Sequence, residues 1–184
     1  GGTVRGAADS YGFVFSGRWI PEKGDSGQLF TSFKYWLTDD LGVGVDYRPL
    51  VDSVTVTATY RAISEDPFGW RPALVVGTAE DDFDYQGEDV ESRSYFFTLS
   101  KALPDVEFYG ISPAPYVGAV WIEEIDKVRP LIGLHLRHEL ATMMLQYSGT
   151  DTHLTVSKAI SDNVSLSGIY WGMKYPGLGM RIKF

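Results

Sequence analysis

The chain has 184 residues, of which 44% are hydrophobic, 22% charged and 14% aromatic, and its formal net charge is -8. A chain of this length forms one domain or at most two small ones, and its low charged and high aromatic fractions argue against disorder. The acidic balance disfavours non-specific binding to nucleic acid through the whole surface, so no nucleic-acid partner is expected. The chain has no cysteine, which excludes a disulfide scaffold, a thiolate zinc site and a cysteine nucleophile.

Long apolar runs are missing from the sequence. The longest, such as residues 73–76, are only a few residues, whereas a spanning helix needs about 20 apolar residues. Residues 1–5 lack the apolar core of a signal peptide, so we expect either a cytosolic chain or a mature form whose leader has been removed. The strand pattern favours the mature form.

Short segments of alternating polarity, separated by turn residues, run along the whole chain. Val54 and Val56, for example, share one face of a segment, and Thr55 lies on the other. We predict twelve strands, although a count of about ten or fourteen fits the same pattern. The predicted strands are 11–20, 28–37, 41–49, 54–63, 70–79, 94–103, 115–124, 128–138, 141–147, 153–160, 164–173 and 177–184. The face assignment of segment 115–124 is ambiguous, because apolar residues occupy both faces.

The direction of the apolar faces decides the class of protein. A soluble barrel turns them inward, whereas a membrane barrel turns them outward. The polar faces here are rich in Gly, Ser and Thr with isolated charges, unlike the dense Lys and Glu of soluble outer faces. Trp and Tyr also gather near segment ends, as they do in the aromatic girdles of membrane proteins. These aromatic residues are Tyr11, Trp19, Tyr35, Trp36, Tyr47, Tyr60, Trp70, Tyr95, Tyr116, Trp121, Tyr147, Tyr170 and Trp171.

The sequence therefore predicts an all-β fold, a transmembrane antiparallel up-and-down β-barrel of about 12 strands, with 10–14 possible. The whole chain, residues 1–184, forms this single domain, and residues 1–10 form a periplasmic N-terminal segment. Even-to-odd connections are expected in the periplasm and odd-to-even connections outside. The outer connections include a long acidic loop over residues 80–93.

The chain ends in Gly179-Met180-Arg181-Ile182-Lys183-Phe184, with alternating apolar residues and a terminal Phe. This ending resembles the closing strand of bacterial outer-membrane β-barrel proteins, in which a terminal aromatic residue is part of the signal that the assembly machinery reads. The resemblance covers the whole chain as a pattern. It implies a location in the bacterial outer membrane, contact with its lipid and lipopolysaccharide, and recognition by the assembly machinery through Phe184. It implies no particular activity.

The inner faces of such a barrel carry mostly cations. The predicted lumen-lining residues are Arg18, Lys34, Asp46, Arg48, Arg61, Arg71, His135, Arg137, Arg181 and Lys183. A cationic pore favours anions, which predicts a narrow passive channel. The alternative is a closed barrel, filled by paired side chains, that scaffolds or docks a partner protein. Barrels of about eight strands are filled and those of about sixteen are open, so twelve strands allow either function. A protein partner or an oligomer is compatible with both.

A lipid-modifying enzyme at the outer rim is the third hypothesis. Ser148, Asp151 and His153 supply the residue types of a hydrolytic triad. Their spacing matches no motif, and the His-x-Ser signature of outer-membrane deacylases is absent. We therefore expect no enzymatic activity and assign no catalytic residue.

The acidic residues 80–93 are a candidate cation site. Residues 82–87 match the start of a calcium loop, but the position of the closing ligand falls on Arg93. No metal site and no cofactor are therefore assigned. The acids of this loop are suited to contact divalent ions that bridge lipopolysaccharide phosphates.

Overall fold

The computed structural model describes residues 12–23, 28–85, 88–103, 106 and 108–184. They form twelve antiparallel strands that follow one another around a closed barrel, in which β1 pairs with β12. The strands are β1 (Phe13–Trp19), β2 (Leu29–Trp36), β3 (Leu41–Arg48), β4 (Ser53–Ile63), β5 (Ala73–Tyr85), β6 (Glu88–Ser100), β7 (Ser112–Ile122), β8 (Lys127–Arg137), β9 (Thr142–Tyr147), β10 (Thr152–Ala159), β11 (Val164–Trp171) and β12 (Tyr175–Lys183). The predicted all-β, antiparallel up-and-down barrel of twelve strands is confirmed. The expected segment 1–10 and Tyr11 lie outside the described residues.

Within the described part of the chain, no helix has the length and apolar content that a bilayer crossing requires.

Burial alternates along the strands and fixes which face is inside. On β3, Asp46 and Arg48 are 8% and 1% exposed, whereas Tyr47 between them is 39% exposed. On β12, Leu178 is 63% exposed and its neighbours Gly177 and Gly179 are half-buried. Because successive side chains of a strand point to opposite faces, the polar and glycine faces lie inside the barrel and the apolar faces outside.

The ambiguous seventh segment is resolved by the same alternation. On β7, Tyr116, Val120 and Ile122 are buried inside the barrel, whereas Val117 and Trp121 are exposed on its outer surface. The inward side chains pack with Leu131 of β8 into a small apolar cluster, which explains why both faces of this strand are apolar.

Three large rings inside the barrel each cover a glycine on the neighbouring strand. A Cβ at Gly42 would come within 3.1 Å of the Trp36 ring, and a Cβ at Gly77 within 2.7 Å of the Phe96 ring. The two partners of each pair stand opposite each other in register: Trp36 with Gly42, Phe96 with Gly77, and Tyr116 with Gly133. The inward glycines therefore have a packing role, since they let a ring lie flat against the wall.

The two ends of the barrel differ in their connections. At the end where β1 begins and β12 ends, which we call the proximal end, residues 64–72 and 101–111 form long connections. They are joined to each other, because Glu65 Oε1 accepts bonds from Lys101 Nζ at 2.9 Å and from the Ala102 amide at 2.8 Å. The opposite, distal end carries the β1–β2 connection, the short β3–β4, β7–β8, β9–β10 and β11–β12 turns, and one long hairpin of β5 and β6.

That hairpin replaces the predicted loop over residues 80–93, so the loop prediction was wrong. β5 and β6 pair continuously from Ala73–Ser100 to Tyr85–Glu88. The last pair between β4 and β5 is at Gly77, and that between β6 and β7 is at Ser94, so the tip of the hairpin projects past the distal rim. The acidic composition suggested a loop, but the backbone satisfies its hydrogen bonds in a two-stranded ladder. Positions 86–87 of the suggested calcium loop lie outside the described residues.

The close approach of β6 and β7 can be tested at Gly118. A Cβ at Gly118 would overlap the carbonyl oxygen of Phe97, whereas Gly168 of β11 has no atom within 4 Å of such a Cβ. We expect Gly118→Ala to lower the free energy of unfolding by about 1–3 kcal/mol, because the backbone of β6 must shift. Gly168→Ala is the matched control and should change it by less than about 0.5 kcal/mol. Urea unfolding, followed by circular dichroism, measures both, and equal losses would contradict the close approach.

Candidate functional site

Two cavities lie inside the barrel. The first has a volume of about 320 Å³ and is lined mainly by β1 to β6, and the second has about 430 Å³ and is lined mainly by β8 to β12. Ser16 and Arg181 line both, so they lie between the two. Both cavities reach the proximal end, because Asp39 of the β2–β3 turn lines the first and Glu139 of the β8–β9 connection lines the second.

One wall of the first cavity is polar. Lys34 of β2 and Thr57 of β4 stand on either side of Gly44 of β3, in register with it. Lys34 Nζ donates a hydrogen bond to Thr59 Oγ1 at 3.1 Å. Asp46, the next inward residue of β3, lines the same cavity. A cation, an anion and two hydroxyls thus share this wall.

Apolar and aromatic side chains also line the first cavity, beside further polar ones such as Ser16, Ser32 and Arg181. The larger apolar side chains come from β1, β2, β5 and β6, and they are Val14, Phe30, Trp36, Ala73, Val75 and Phe96. A lining that combines rings with a few polar groups is typical of small-molecule sites, where the polar groups orient a mostly apolar ligand.

A clamp of hydrogen bonds stands at the proximal mouth of this cavity. Arg61 Nε pairs with Asp40 Oδ1 at 2.8 Å, and its NH2 group donates to the carbonyl oxygen of Asp39 at 2.8 Å. The guanidinium is therefore held against the β2–β3 turn by an ion pair and a neutral bond, a charge-assisted arrangement that fixes its orientation.

Cations and aromatic rings alternate near the distal end of the interior. The Arg18 guanidinium lies 4.8 Å from the Phe30 ring centroid and 4.3 Å from that of Trp171. Arg48 lies 5.9 Å from Phe30, and Lys23 lies 4.9 Å from Trp171 on the side of the β1–β2 connection. Each such cation–π contact stabilises by about 0.5–2 kcal/mol, more where water is excluded. We call Arg18, Phe30, Arg48 and Trp171 the distal stack.

The second cavity is bordered by a buried polar group of β7 to β9. Tyr116 donates from its hydroxyl to Gln146 Oε1 at 2.9 Å, and its ring lies 5.3 Å from that of His135. His135 Nε2 is buried and has no hydrogen-bond partner among the residues described. This nitrogen can therefore meet a small ligand or water in the cavity that His135 lines.

The ten residues predicted to line the lumen lie in different environments. Lys34, Asp46, Arg61 and Arg181 line the first cavity; Arg18, His135 and Arg181 line the second; and Arg48 is buried in the distal stack. Arg137 and Lys183 lie on the same strand faces as His135 and Arg181. The predicted strand position of Arg71 is wrong, because β5 begins only at Ala73; Arg71 is exposed in the 64–72 connection, where its Nε donates to Ser64.

The large inward rings were missed by the sequence reasoning. Trp36, Tyr116 and Trp171 were assigned to outer girdles, but the structure places them inside, against Gly42, Gly133 and Arg18. The alternation of residues along each strand indicates that these rings face inward: Trp36 shares its face with Lys34, and Trp171 shares its face with serines of β11. Trp70 lies in a connection, outside the strands.

The suggested triad does not form a nucleophile–base pair. His153 Nδ1 accepts the Gly172 amide at 3.0 Å, so the proton of the neutral ring is on Nε2. That Nε2 lies 3.4 Å from Ser148 Oγ and donates to it, while the hydroxyl donates to the carbonyl oxygen of Asp151 at 3.3 Å. The imidazole therefore has no free lone pair with which to remove the serine proton.

No protein-family model matches this chain, and no curated protein matches it. Within the described residues, no group of three or more His, Asp or Glu side chains is arranged to hold a metal ion. The interior cavities and the outer surface are therefore the features from which a function must be inferred.

Proposed function

We propose that this protein is an integral β-barrel of the bacterial outer membrane. The apolar outer surface of the barrel is the observation that supports this proposal most strongly. Between the two rims, the outward positions of the described strands hold apolar residues, glycine or threonine, apart from Lys158 near the proximal end. Val54, Val56 and Leu178 are 64%, 65% and 63% exposed on this surface.

Water is an unfavourable environment for such a surface. Apolar area exposed to water costs about 25 cal/mol per Å², and contiguous apolar patches beyond a few hundred Å² are rare on soluble monomers. Here the apolar surface surrounds the barrel. Lipid chains remove this cost, and the closed ladder leaves no strand edge to be solvated in hydrocarbon.

A ring of exposed aromatic residues marks the distal edge of the apolar surface. Each is the last or second-last residue of an odd-numbered strand, and the five are Trp19, Tyr47, Trp121, Tyr147 and Tyr170. Tyr and Trp side chains, which have a polar tip, prefer the interface between hydrocarbon and headgroups, so this circle of aromatic residues supports an interfacial girdle. It would place the distal rim at one face of the membrane.

The C-terminus supports the proposed assembly route. The Phe184 amide donates to the Phe13 carbonyl at 2.9 Å, which places the last residue at the seam between β1 and β12. The Phe184 side chain is exposed at the proximal end. An exposed terminal ring at the closing seam is accessible to the assembly machinery in the periplasm, and the outward side chains beside it would then contact outer-membrane lipid and lipopolysaccharide.

Membrane insertion is tested by lysine at two adjacent positions of β4. Val56 faces outward near mid-strand, and Thr55 faces inward opposite Asp46. We expect Val56→Lys to reduce the stability of the protein in lipid vesicles by about 2–4 kcal/mol, because a charge must enter hydrocarbon. Thr55→Lys, the matched control, should lose less than about 1 kcal/mol. Urea titration of protein refolded into vesicles measures both, and similar losses would contradict the proposal.

Within the barrel we propose a narrow passage that favours anions. Lys34, Arg61 and Arg181 line the first cavity against Asp39 and Asp46, and inward cations continue into the second. The distal stack adds Arg18 and Arg48 to these inward cations. Side-chain constrictions lined by cations lower the barrier for anions relative to cations.

A closed docking barrel is the second candidate, and the proximal connections favour it. Phe68, Trp70 and Tyr109 are 100%, 91% and 83% exposed there, beyond the ends of the strands. The Glu65–Lys101 ion pair holds the two connections together as one surface. Exposed aromatic residues on an ordered surface are typical anchors in protein interfaces, so a periplasmic partner could bind here without any passage through the barrel.

Conductance separates the two candidates. We expect the purified protein to give small, anion-selective currents in planar bilayers, and Lys34→Glu to lower the anion-to-cation permeability ratio because it reverses a charge on the cavity wall. Lys158→Gln, on the outer surface, is the control and should leave the ratio unchanged. An inserted barrel that carries no current would exclude the passage and favour the docking function.

A further inference from the structure

Lys34 and Asp46 place opposite charges in the first cavity, where they attract each other but form no hydrogen bond or close ion pair. Lys34 stands opposite Gly44, and Asp46 is the next inward residue of β3. Within the described part of the chain, Lys34 has one hydrogen-bond partner, Thr59 Oγ1, and Asp46 has no hydrogen bond or close ion pair. An ammonium group has three N–H donors and a carboxylate has two acceptor oxygens. Charges that are largely removed from water are costly until they are matched, so both groups favour a charged ligand.

A buried hydroxyl lies on the same wall. Thr57 is 3% exposed, and its Oγ1 has no hydrogen-bond partner among the described residues. Gly44 leaves the wall open between Thr57 and Lys34, since a Cβ there would come within 3.1 Å of Thr57 Oγ1. The hydroxyl can donate to a carboxylate that lies against Lys34, or accept from a donor group beside it.

The aromatic and aliphatic side chains that line the cavity suit an apolar group. Phe30, Trp36 and Phe96 face the cavity, together with Ala73 and Val75, which are 0% and 7% exposed. The volume of about 320 Å³ is at the small end of the range for ligand sites. A ligand that fills it must therefore be small and must present an apolar body to the rings.

We propose that the first cavity binds a small zwitterion with an apolar body, of the chemical class of an amino acid with an apolar side chain. Its carboxylate lies against Lys34 and the Thr57 hydroxyl, its ammonium group against Asp46, and its side chain against Phe30 and Phe96. A ligand with a carboxylate alone leaves Asp46 unmatched, and a ligand with an amine alone leaves Lys34 unmatched. The inference names a solute class for the proposed passage and to that extent rests on it, although the site itself requires only the folded barrel.

Equilibrium dialysis of the micelle-bound protein against radiolabelled L-phenylalanine tests the site without a membrane. We expect saturable binding at one site per chain. Unlabelled 3-phenylpropionate and phenethylamine, which each lack one charged group, should compete about tenfold less well or worse, because a charge-assisted hydrogen bond is worth about 1.5–3 kcal/mol. Absence of saturable binding, or equal competition by 3-phenylpropionate, would overturn the proposal.

Substitutions of the cavity residues test whether the ligand binds in the first cavity. Lys34→Met and Asp46→Asn should each weaken it by about tenfold or more, and Thr57→Val, which keeps both charges, should weaken it by about fivefold. Lys158→Met, on the outer surface, is the matched control and should bind as the parent does. The strand signal in circular dichroism identifies any variant that fails to fold, and Thr57→Val then carries the test. Unchanged affinity in all folded cavity variants would contradict binding in the first cavity.

The two proposals can fail separately. If the barrel binds the ligand but conducts no current, the proposed passage is wrong and the binding site stands. If the barrel conducts but does not bind the ligand, the binding site is wrong and the passage stands.

Discussion

The alternation of side chains across each strand, with the apolar side facing outward, is the constraint on which the rest of the structure depends. A shift of one residue in the pairing of any strand would exchange its faces and put valines inside and threonines outside. The strands pair in order from β1 around to β12, with one register shift between β4 and β5 at Arg61 and Ile63, and the Phe184 amide closes the seam on Phe13. Because the ladder has no open edge, every strand keeps the same assignment of inner and outer faces.

Because the apolar faces point outward, the interior of the barrel must be filled by polar, glycine and aromatic residues. A polar interior cannot be filled by aliphatic side chains alone, so rings over glycines and arginines over rings fill much of it. Trp36 over Gly42 and Tyr116 over Gly133 press large groups against the wall, and Arg18 bridges Phe30 and Trp171. Cavities remain where the inward residues are small, as along the serines and threonines of β10 and β11. The same residues that stabilise the barrel thus set the shape and charge of the space inside it.

Much of this fold follows from the sequence, because period-two alternation is a local property. The number of strands, their order and the inward position of Asp46 and Arg48 could all be predicted from the parity of residues along each segment. The prediction is wrong for residues 80–93, because acidic composition indicates a loop although the two halves pair as strands. It is also wrong for Trp36 and Trp171, because a position near a segment end indicates an outer girdle, whereas residue parity along the strand places both rings inside.

The arrangement of the first cavity could not be derived in this way. The distance between Lys34 and Asp46, and the open wall at Gly44, depend on how neighbouring strands are staggered, which is a non-local property. The Arg61 clamp likewise requires a turn and a strand that lie 21 residues apart in the chain. Parity identifies which side chains face inward, but cross-strand register decides which of them meet.

Nitroxide accessibility along β10 tests most directly whether the outer faces contact lipid. The chain has no cysteine, so single cysteines at Leu154, Thr155, Val156 and Ser157 carry the label without background. In vesicles, we expect labels at 154 and 156 to be accessible to oxygen and protected from a water-soluble nickel chelate, and labels at 155 and 157 to be less accessible to oxygen. Free access of the nickel chelate at 154 and 156 would contradict a membrane-spanning barrel.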